Sequence, residues 1–445
     1  MTQDPHSADL VSPIIIPRSE HPISRKDLDR EALKVLYRLR DAGFVAYLVG
    51  GGVRDILLGK VPKDFDISTN ARPGEIRKIF RNSRIIGRRF RLVQVFFPGN
   101  KIVEVSTFRQ RTEYDQKSKE NVLAANNTFG SPADDAFRRD LTINALFYEV
   151  ENFTIIDFTG GVKDLKNGII RLVGDPERRV TRDPARIMRV IRHAARTGFT
   201  IAETTWNSIR KHMDKLALCP TSRIRDELLK DLQGGSGQAW VNLAIDSGLF
   251  HTVFPIYANI CAEESSEREG TKQALSSIFR VIDRLIQEKQ SVPFHIIFAF
   301  LLVPWGEKCL NFQNVSTLKE SYELSKNARN LLAPTFAVLD IKKGLQDSLT
   351  RCLAALPLLL NHDRESMGTG WPKWLRKKSY FADGQLLYQM YQETQGGLLV
   401  SDMPVVLSKE VRKVEPRHKK GDNASHSGSA FAKNVKGGVF GFRRW

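Results

Sequence analysis

A glycine-rich turn followed by two closely spaced aspartates limits the folds open to this chain. The run LVGGGVRDILLGKVPKDFDIS, residues 48–68, passes from a β-type segment through three glycines into a short apolar helix, and then reaches an Asp-x-Asp pair. Glycines after a strand let the backbone approach a ligand closely, and the start of a helix adds a positive dipole end. The sequence therefore predicts a phosphate cradle formed by Gly51, Gly52 and Arg54.

The aspartate pair predicts a metal site beside that cradle. If Asp64 and Asp66 lie on a strand, both carboxylates share one face, with about 7 Å between their α-carbons. Phe65 would then point into the core. Carboxylate oxygens suit Mg²⁺, a hard cation that keeps substrate phosphates in its coordination shell. A lone Asp-x-Asp is more often a solvated loop, but the order of strand, glycines, helix and carboxylates is far more specific.

Charge and cysteine usage limit the partners and the compartment. The chain has 445 residues, a formal net charge of +18 and a pI near 9.7, which points to a polyanion: nucleic acid or an anionic membrane surface. Four widely separated cysteines without a C-x-x-C pair argue against a zinc site or a disulfide framework. The most apolar run, residues 294–305, is too short to span a bilayer. We expect a cytoplasmic protein without a transmembrane segment.

Changes in periodicity divide the chain. The predicted parts are a disordered amino-terminal segment (1–23), a head with a mixed sheet (24–174), a helical neck (175–260), a helical body (261–405) and a flexible basic tail (406–445). Ser24 is predicted to cap the first helix. Two strands, 92–97 and 102–107, should form a hairpin that places Val103 and Val105 on one face and Glu104 on the other. Residues 110–133 are predicted to be a loop.

A second cluster of charges follows the hairpin. Arg138 and Arg139 can neutralise triphosphate oxygens through paired hydrogen bonds, and Asn144 follows four residues after Asp140. Asp140 can be the third acidic group of a metal site or can hold a ribose hydroxyl. Glu104 is a rival third carboxylate, because its strand follows that of the aspartate pair. Outside this context an Arg-Arg-Asp run would be a surface ion-pair cluster.

A third cluster begins the predicted helix 183–196, whose first helical residue would be Pro184. Asp183 can accept from a base amino group, and Arg186 and Arg189 can donate to ring nitrogens, so the helix can read a base edge without a template. Taken alone, the same residues would be a helix amino terminus with a solvated basic face.

Together these motifs resemble the tRNA nucleotidyltransferase/poly(A) polymerase family, class II of the polymerase β superfamily. The matching segments, in family order, are LVGGGVRD…DFDI, RRDLTINAL, DFTGGVKDLKNGIIRLVGDP and DPARIMRVIR. The resemblance covers about residues 30–230. It implies an α+β fold, with a polymerase β-like nucleotidyltransferase head, an RNA-binding neck and an all-α body. It also implies Asp64, Asp66 and Asp140 as catalytic carboxylates.

One segment favours a branch of that family. IGRRFRL, residues 86–92, resembles a basic signature of bacterial poly(A) polymerases that CCA-adding enzymes tend to lack, which implies ATP as substrate, Mg²⁺, and RNA 3′ ends as acceptors. Two positions depart from the family pattern: Arg182 where many relatives have Glu, and Gln94 where polymerase-like relatives often have His. The residues predicted to contact RNA are basic ones in this segment and in the tail: Arg88, Arg89, Arg91, Lys419, Lys420, Arg443 and Arg444.

The expected reaction is two-metal phosphoryl transfer of AMP from ATP to an RNA 3′-hydroxyl by a monomeric enzyme. A CCA-adding enzyme is the alternative within the family. From other classes, a catalytically inactive RNA-binding relative and a small-molecule nucleotidyltransferase remain open. The tail is as compatible with solvation alone as with RNA binding.

Overall fold

A mixed sheet of eight strands organises the amino-terminal part of the molecule. A computed structural model describes residues 12–87, 91–110, 129–262, 264–366 and 370–402. The strand order across the sheet is β1-β8-β7-β2-β3-β6-β5-β4. The strands are β1 (Ile14–Ile16), β2 (Ala46–Val49), β3 (Asp66–Thr69), β4 (Ser83–Ile86), β5 (Leu92–Phe97), β6 (Lys101–Thr107), β7 (Leu146–Glu149) and β8 (Thr154–Asp157). A separate parallel pair joins β9 (Ile169–Ile170) to β10 (Thr200–Ile201).

Helices flank the sheet and then form the rest of the described chain. Those within the head are α1 (Arg30–Asp41), α2 (Gly51–Leu57), α3 (Pro73–Ile79), α4 (Pro132–Arg138) and α5 (Gly161–Lys166). From Pro176 onward the helices are α6 (Pro176–Arg182), α7 (Arg186–Thr197), α8 (Glu203–Lys211), α9 (Thr221–Leu232), α10 (Gly237–Ser247), α11 (Leu249–Val253), α12 (Arg268–Gln287), α13 (Phe294–Leu301), α14 (Val303–Cys309), α15 (Leu318–Leu331), α16 (Ala333–Val338), α17 (Lys343–Ser366), α18 (Lys373–Arg376) and α19 (Phe381–Thr394).

The register of the central strands brings polar side chains into one row. β3 is antiparallel to β2 and parallel to β6, and β6 is antiparallel to β5. Asp66 lies opposite Glu104, which lies opposite Gln94. Neighbouring strands present residues in register on the same face, so these three side chains are adjacent on one surface of the sheet.

The opposite face of these strands is buried. Ile67, Val103 and Val105 alternate with the polar row and lie in the main core. This confirms the predicted hairpin and the predicted separation of Val103 and Val105 from Glu104. Phe65 packs against the same core, also as predicted.

The main core continues into the helical part, where it is formed by large side chains. Helix α10 packs on α7 and α12, and α17 packs against α13, α15 and α19. Trp240, Phe250 and Phe279 are fully buried where α10, α11 and α12 meet, with ring centroids of Trp240 5.7 Å from Phe279 and 6.4 Å from Phe250. In the part of the chain that the structure describes, no helix combines the length and apolar character needed to cross a membrane.

The amino-terminal segment differs from the prediction of disorder. Residues 12–23 are part of the fold: β1 pairs antiparallel with β8, and Ile23 is fully buried. Ser24 caps only a single 3₁₀ turn, whereas the cap of α1 is Asp29, whose Oδ1 accepts from the backbone nitrogens of Glu31 and Ala32. Apolar residues 14–16 pair with a strand that lies more than 130 positions later, which local polarity could not indicate.

The starts of two helices, α7 and α4, also differ from the prediction. Asp183 and Pro184 lie in a turn between α6 and α7 and do not begin a helix; proline disfavours helical backbone at the residue before it, and Asp183 has φ −140° and ψ 82°. Ile86, the first residue of the IGRRFRL segment, is the last residue of the edge strand β4. Most of the predicted loop 110–133 lies outside the described residues, as does the predicted tail from residue 406 on, and α4 already begins at Pro132.

Candidate active site

The glycine turn brings α2 close to the aspartate segment. Gly50 links β2 to α2 with φ +75°, a conformation that favours glycine, and a Cβ there would lie 3.1 Å from Nη1 of Arg139. A Cβ on Gly52 would lie 3.3 Å from the backbone oxygen of Asp64. The turn therefore lies directly between Arg139 and the segment that carries the two aspartates, with Gly51 at the first position of the helix.

The acidic row is formed by Asp66 and Glu104. Asp64 is exposed and precedes β3, whereas Asp66 is the first residue of that strand. The prediction that both aspartates lie on one strand is therefore correct for Asp66 and wrong for Asp64. Glu104 Oε1 accepts a hydrogen bond of 2.9 Å from Gln94 Nε2. This bond holds the Glu104 carboxylate against the sheet surface, beside Asp66.

The electrostatics of this row suit a cation. The Asp66 side chain reaches solvent, but surrounding protein atoms desolvate its carboxyl and raise its pKa. The charges of Glu104 and Asp64 raise it further, against the opposing charge of Arg139. A divalent ion would relieve this repulsion, and the donors are the hard oxygens that such ions prefer. Among the described residues, no three His, Cys, Asp or Glu side chains converge on one point.

Arg138 is the last residue of α4 and Arg139 is its C-cap, and the two are held from two directions. Arg179 of α6 donates to the backbone oxygens of Phe137, Arg138 and Arg139. Arg139 Nη2 donates to Ser68 Oγ at 3.1 Å and to Asp135 at 2.9 Å, next to β3. The turn that carries both arginines is thereby fixed against β3 and α6.

Five arginines crowd around this turn. Burial lowers the pKa of Arg109 and Arg138. Repulsion from Arg138 and Arg139 lowers the pKa of Arg109 further, and repulsion from Arg186 does the same for Arg138. Burial and Arg186 likewise lower the pKa of Arg182. The Nη1 atom of Arg138 is buried without a hydrogen-bond partner in the described part of the chain. Such a concentration of guanidinium groups favours a polyphosphate ligand.

Asp140 lies in a different part of the site from the acidic row. Its Oδ1 lies 2.5 Å from Arg186 Nη1, and its Oδ2 lies 2.7 Å from Arg189 Nε. Both of its oxygens are thus engaged by α7. The structure therefore favours Glu104 over Asp140 as the carboxylate that accompanies Asp66.

Asp183, in the turn before α7, is the centre of a second cluster that includes arginines of α7 and α9. Arg189 Nη2 lies 2.9 Å from its Oδ2, and Arg223 of α9 binds both oxygens, at 2.9 and 3.0 Å. Burial opposes ionisation, but Arg189, Arg223 and Arg186 hold the pKa of Asp183 below its usual value. The predicted trio of Asp183, Arg186 and Arg189 is thus brought together.

Arg54 is buried, and its surroundings argue against direct contact with a triphosphate. Its Nε and Nη2 donate to Asp55 and its Nη1 donates to Asn144 at 2.6 Å, with His193 Nδ1 at 3.3 Å. Burial and neighbouring arginines lower the pKa of His193 to about 3, so this ring is neutral at physiological pH. Arg54 and Asn144 therefore connect α2 to α7 and position the cradle.

Several predicted RNA contacts are outside the structure's described ranges. Arg91 is an exposed residue just before β5. Arg88, Arg89 and the four tail residues, Lys419, Lys420, Arg443 and Arg444, lie outside the described residues.

Sequence reasoning missed residues that act through other residues. Arg223 lies 40 positions from Asp183, and His193 lies 139 positions from Arg54, so no local spacing indicates these partners. Gln94 was recognised only as a departure from a pattern, although its bond to Glu104 gives it a role. One local pattern indicates a charged face of α9 that could meet α7: Arg223, Glu227 and Asp231 are spaced four residues apart. Glu227 and Asp231 bind Arg192 of α7.

Three features together are those of a nucleotidyltransferase head: adjacent carboxylates on a mixed sheet, a glycine turn beside the aspartate segment, and a helix that carries arginines. The sequence matches two family profiles: "Poly A polymerase head domain" over residues 46–171 and "Probable RNA and SrmB- binding site of polymerase A" over residues 198–261. The chain belongs to the poly(A) polymerase family.

Whole-chain comparisons agree with this membership. Poly(A) polymerase I of Escherichia coli O6:H1 (strain CFT073) is 41% identical over 356 residues, covering 78% of this chain and 76% of that protein. The CCA-adding enzyme of Lactobacillus helveticus is 38% identical over 228 residues, 51% of this chain and 56% of that protein. A crystal structure of the Bacillus stearothermophilus CCA-adding enzyme in complex with CTP shares the fold, with a TM-score of 0.60, 24% identity, and coverage of 84% of this chain and 79% of that one.

Arg223 provides a test of the Asp183 cluster. Arg223→Ala removes two charge-assisted bonds to Asp183, and we expect discrimination of ATP against GTP and UTP to fall by about tenfold or more, with a smaller change in discrimination against CTP. The measurement is kcat/KM for each nucleotide on an unstructured RNA. Arg225→Ala is the matched control, because Arg225 lies on the same helix and binds Asp340 instead. An equal loss for all four nucleotides would contradict a role in base selection.

Proposed function

We propose that this chain is a template-independent RNA 3′-end nucleotidyltransferase that adds AMP from ATP and releases pyrophosphate. The observation that carries the proposal is the adjacency of Asp66 and Glu104 on one sheet face, with Arg139 bound to Ser68 on the same strand as Asp66. Kinship with poly(A) polymerase I over more than three quarters of the chain supports the choice of ATP and RNA.

The reaction exchanges one phosphorus–oxygen bond for another. The RNA 3′-hydroxyl loses its proton and attacks the α-phosphorus of ATP, the bond between the α-phosphorus and the bridging oxygen breaks, and pyrophosphate leaves. Arg138 and Arg139 bind the triphosphate oxygens and stabilise the charge that accumulates on the leaving group. The backbone of Gly51 and Gly52 lies along the same triphosphate, held in place by Arg54 and Asn144.

We propose that Asp66 and Glu104 would hold a divalent metal ion, Mg²⁺, together with oxygens of the bound nucleotide, while Asp64 adds negative charge nearby. Such an ion would lower the pKa of the attacking hydroxyl and neutralise charge on the pyrophosphate. Gln94 keeps the Glu104 carboxylate oriented towards that position. Asp140 then positions Arg186 and Arg189 of α7 through its ion pairs with them.

Base selection rests on donor and acceptor pairing. The carboxylate of Asp183 accepts from the exocyclic amino group of adenine, and Arg186 or Arg189 donates to the adjacent ring nitrogen. Cytosine presents the same pair of an amino donor and an acceptor ring nitrogen. The pair alone therefore excludes guanine and uracil better than it separates ATP from CTP.

A CCA-adding enzyme is the second candidate for this reason. The similarity to a CCA-adding enzyme spans about half of this chain, whereas that to poly(A) polymerase I spans 78%. This difference in coverage favours ATP. We further propose that the enzyme is a cytoplasmic monomer divided at about residues 24–174, 175–260 and 261–405, as the sequence predicts.

Nucleotide incorporation tests the function directly. Purified protein with Mg²⁺ is given an unstructured RNA or a tRNA that lacks its 3′ end, each with ATP, CTP or both. Long ladders with ATP alone on both acceptors are expected. A stop after three nucleotides that needs CTP and occurs only on the tRNA would instead identify a CCA-adding enzyme, and binding without incorporation would identify an inactive relative.

A further inference from the structure

An exposed cationic surface surrounds one tryptophan of the helical body. The Trp374 patch comprises Trp374, which is 45% exposed, and four exposed cations on α18 and directly after it: Lys373, Arg376, Lys377 and Lys378. Large aromatic side chains in this position are unusual, because burial of the ring would stabilise the fold.

The patch is fixed to the body by its neighbours. Trp371 packs on His362, Phe381 and Tyr388, with ring centroids 5.7, 6.2 and 5.3 Å away. Leu375, next to Trp374, is 1% exposed. The short helix is therefore held by Trp371 and Leu375, and Trp374 is left on the outer side of a well-anchored turn.

The charge of the patch is not neutralised by described side chains. Within the ranges that the structure describes, none of its four cations forms an ion pair with a carboxylate. Elsewhere on the body such pairs are common: Arg284 binds Glu393 at 2.6 Å, Lys308 binds Glu267 at 2.7 Å, and Lys342 binds Asp340. A concentrated positive potential beside an exposed ring thus distinguishes this surface from the rest of the body.

We propose that the Trp374 patch binds the single-stranded RNA acceptor, with a base stacked on Trp374 and the cations on the flanking phosphates. Proteins that bind single strands without sequence preference combine these two features. An aromatic ring stacks on any base. This suits an enzyme whose acceptor begins as an RNA of any sequence and then ends in the adenylates that the enzyme has added. The identity of the acceptor rests on the proposed function, but the binding chemistry does not.

Other polyanions fit the geometry less well. A membrane surface needs an apolar helical face to bury, and α18 has one turn with Leu375 turned inward. A protein partner would bury a broader apolar area than a single ring. Single-stranded RNA, in contrast, can stack a base on the Trp374 ring and place its phosphates against all four cations.

Substitutions in the full-length protein test the proposal through binding to a labelled 20-nucleotide oligo(A). Trp374→Ala is expected to weaken binding by about fivefold or more, as the removal of one base–aromatic stack does, while Trp374→Phe retains most of the affinity. Replacing Lys377 and Lys378 with Glu should reduce the slope of log affinity against log salt by about 0.7 for each phosphate that is no longer neutralised.

Helix α15 offers matched controls. Tyr322 is 63% exposed, and its helix carries Lys319 and Lys326 together with Glu320 and Glu323, so its surface is nearly neutral. Tyr322→Ala and the double change of Lys319 and Lys326 to Glu remove the same kinds of groups. We expect each control to change RNA affinity less than its counterpart in the patch.

Tryptophan fluorescence gives a readout that a structural role would not move. Oligo(A) should quench the emission of Trp374, and the quenching should be reduced in Trp374→Phe, whose thermal unfolding is unchanged. The KM for ATP should stay as in the unsubstituted protein. If the protein binds RNA through the patch but incorporates no nucleotide, only the proposed function is wrong.

The proposal would be overturned by either of two results. In the first, Trp374→Ala and Tyr322→Ala affect RNA affinity equally. In the second, Trp374→Ala leaves RNA affinity intact but abolishes binding to phosphatidylglycerol vesicles, which would make the patch a membrane surface.

Discussion

Asp66→Asn is expected to lower nucleotide incorporation by about 10³-fold or more, equivalent to about 4 kcal/mol of transition-state stabilisation. Asparagine keeps the shape of the side chain and removes the negative charge that lies opposite Glu104 on the neighbouring strand. The reduction should appear mainly in kcat, because the arginines that we propose bind the triphosphate are unchanged.

The same substitution should leave stability unchanged or improve it. The folded state raises the pKa of Asp66 through desolvation and through repulsion by Glu104 and Asp64. The ionised carboxylate therefore disfavours folding at neutral pH, and this cost develops as the pH rises above the pKa of an unfolded aspartate, 3.8. An unchanged or higher Tm together with abolished activity would separate a catalytic role from a structural one.

Single-turnover incorporation and thermal unfolding are the two measurements. Asp41→Asn is the matched control, since Asp41 lies on α1 of the same head in an exposed pair with Arg40, and such pairs contribute little. Retention of more than a tenth of the activity by Asp66→Asn would remove Asp66 from the catalytic set.

Local patterns predicted the parts of the fold that depend on neighbouring residues. The hairpin of β5 and β6 and the inward position of Phe65 follow from alternation and from a turn signal, and both are confirmed. The residues 14–16 could not be recognised as a strand, because their partner is β8. The predicted first helical residue, Pro184, lies two residues before the start of α7, because a proline after Asp183 suits both a helix start and a turn.

The candidate site was predictable in composition but not in its grouping. The motifs predict functional roles for the carboxylates of Asp66, Asp140 and Asp183, yet spacing along the chain does not say which of them lie close together. The register of β3 with β6 pairs Asp66 with Glu104, whereas the packing of α7 brings Arg186 and Arg189 to Asp140. Both arrangements depend on tertiary contacts between distant segments.

Glu104→Gln and Asp140→Asn should therefore produce different defects. Glu104→Gln is expected to lower kcat by about 10²- to 10³-fold, because it removes a charge from the proposed metal site, and to raise the Mg²⁺ concentration needed for half-maximal rate. Asp140→Asn removes the ion pairs of Arg186 and Arg189, and it is expected to raise the KM for ATP by about tenfold with little change in the Mg²⁺ requirement.

Steady-state rates across a Mg²⁺ titration, at several ATP concentrations, distinguish the two defects. Glu149→Gln is a suitable control, because Glu149 is a strand carboxylate bonded to Asn152 and Thr154 in the same head. If Asp140→Asn instead shifts the Mg²⁺ requirement and Glu104→Gln does not, Asp140 is the third metal carboxylate and must leave its two arginines when substrate binds. That outcome would mean that the ion pairs of Asp140 with Arg186 and Arg189 exist only before ATP binds, since the same carboxylate oxygens cannot bind the two arginines and a metal ion at once.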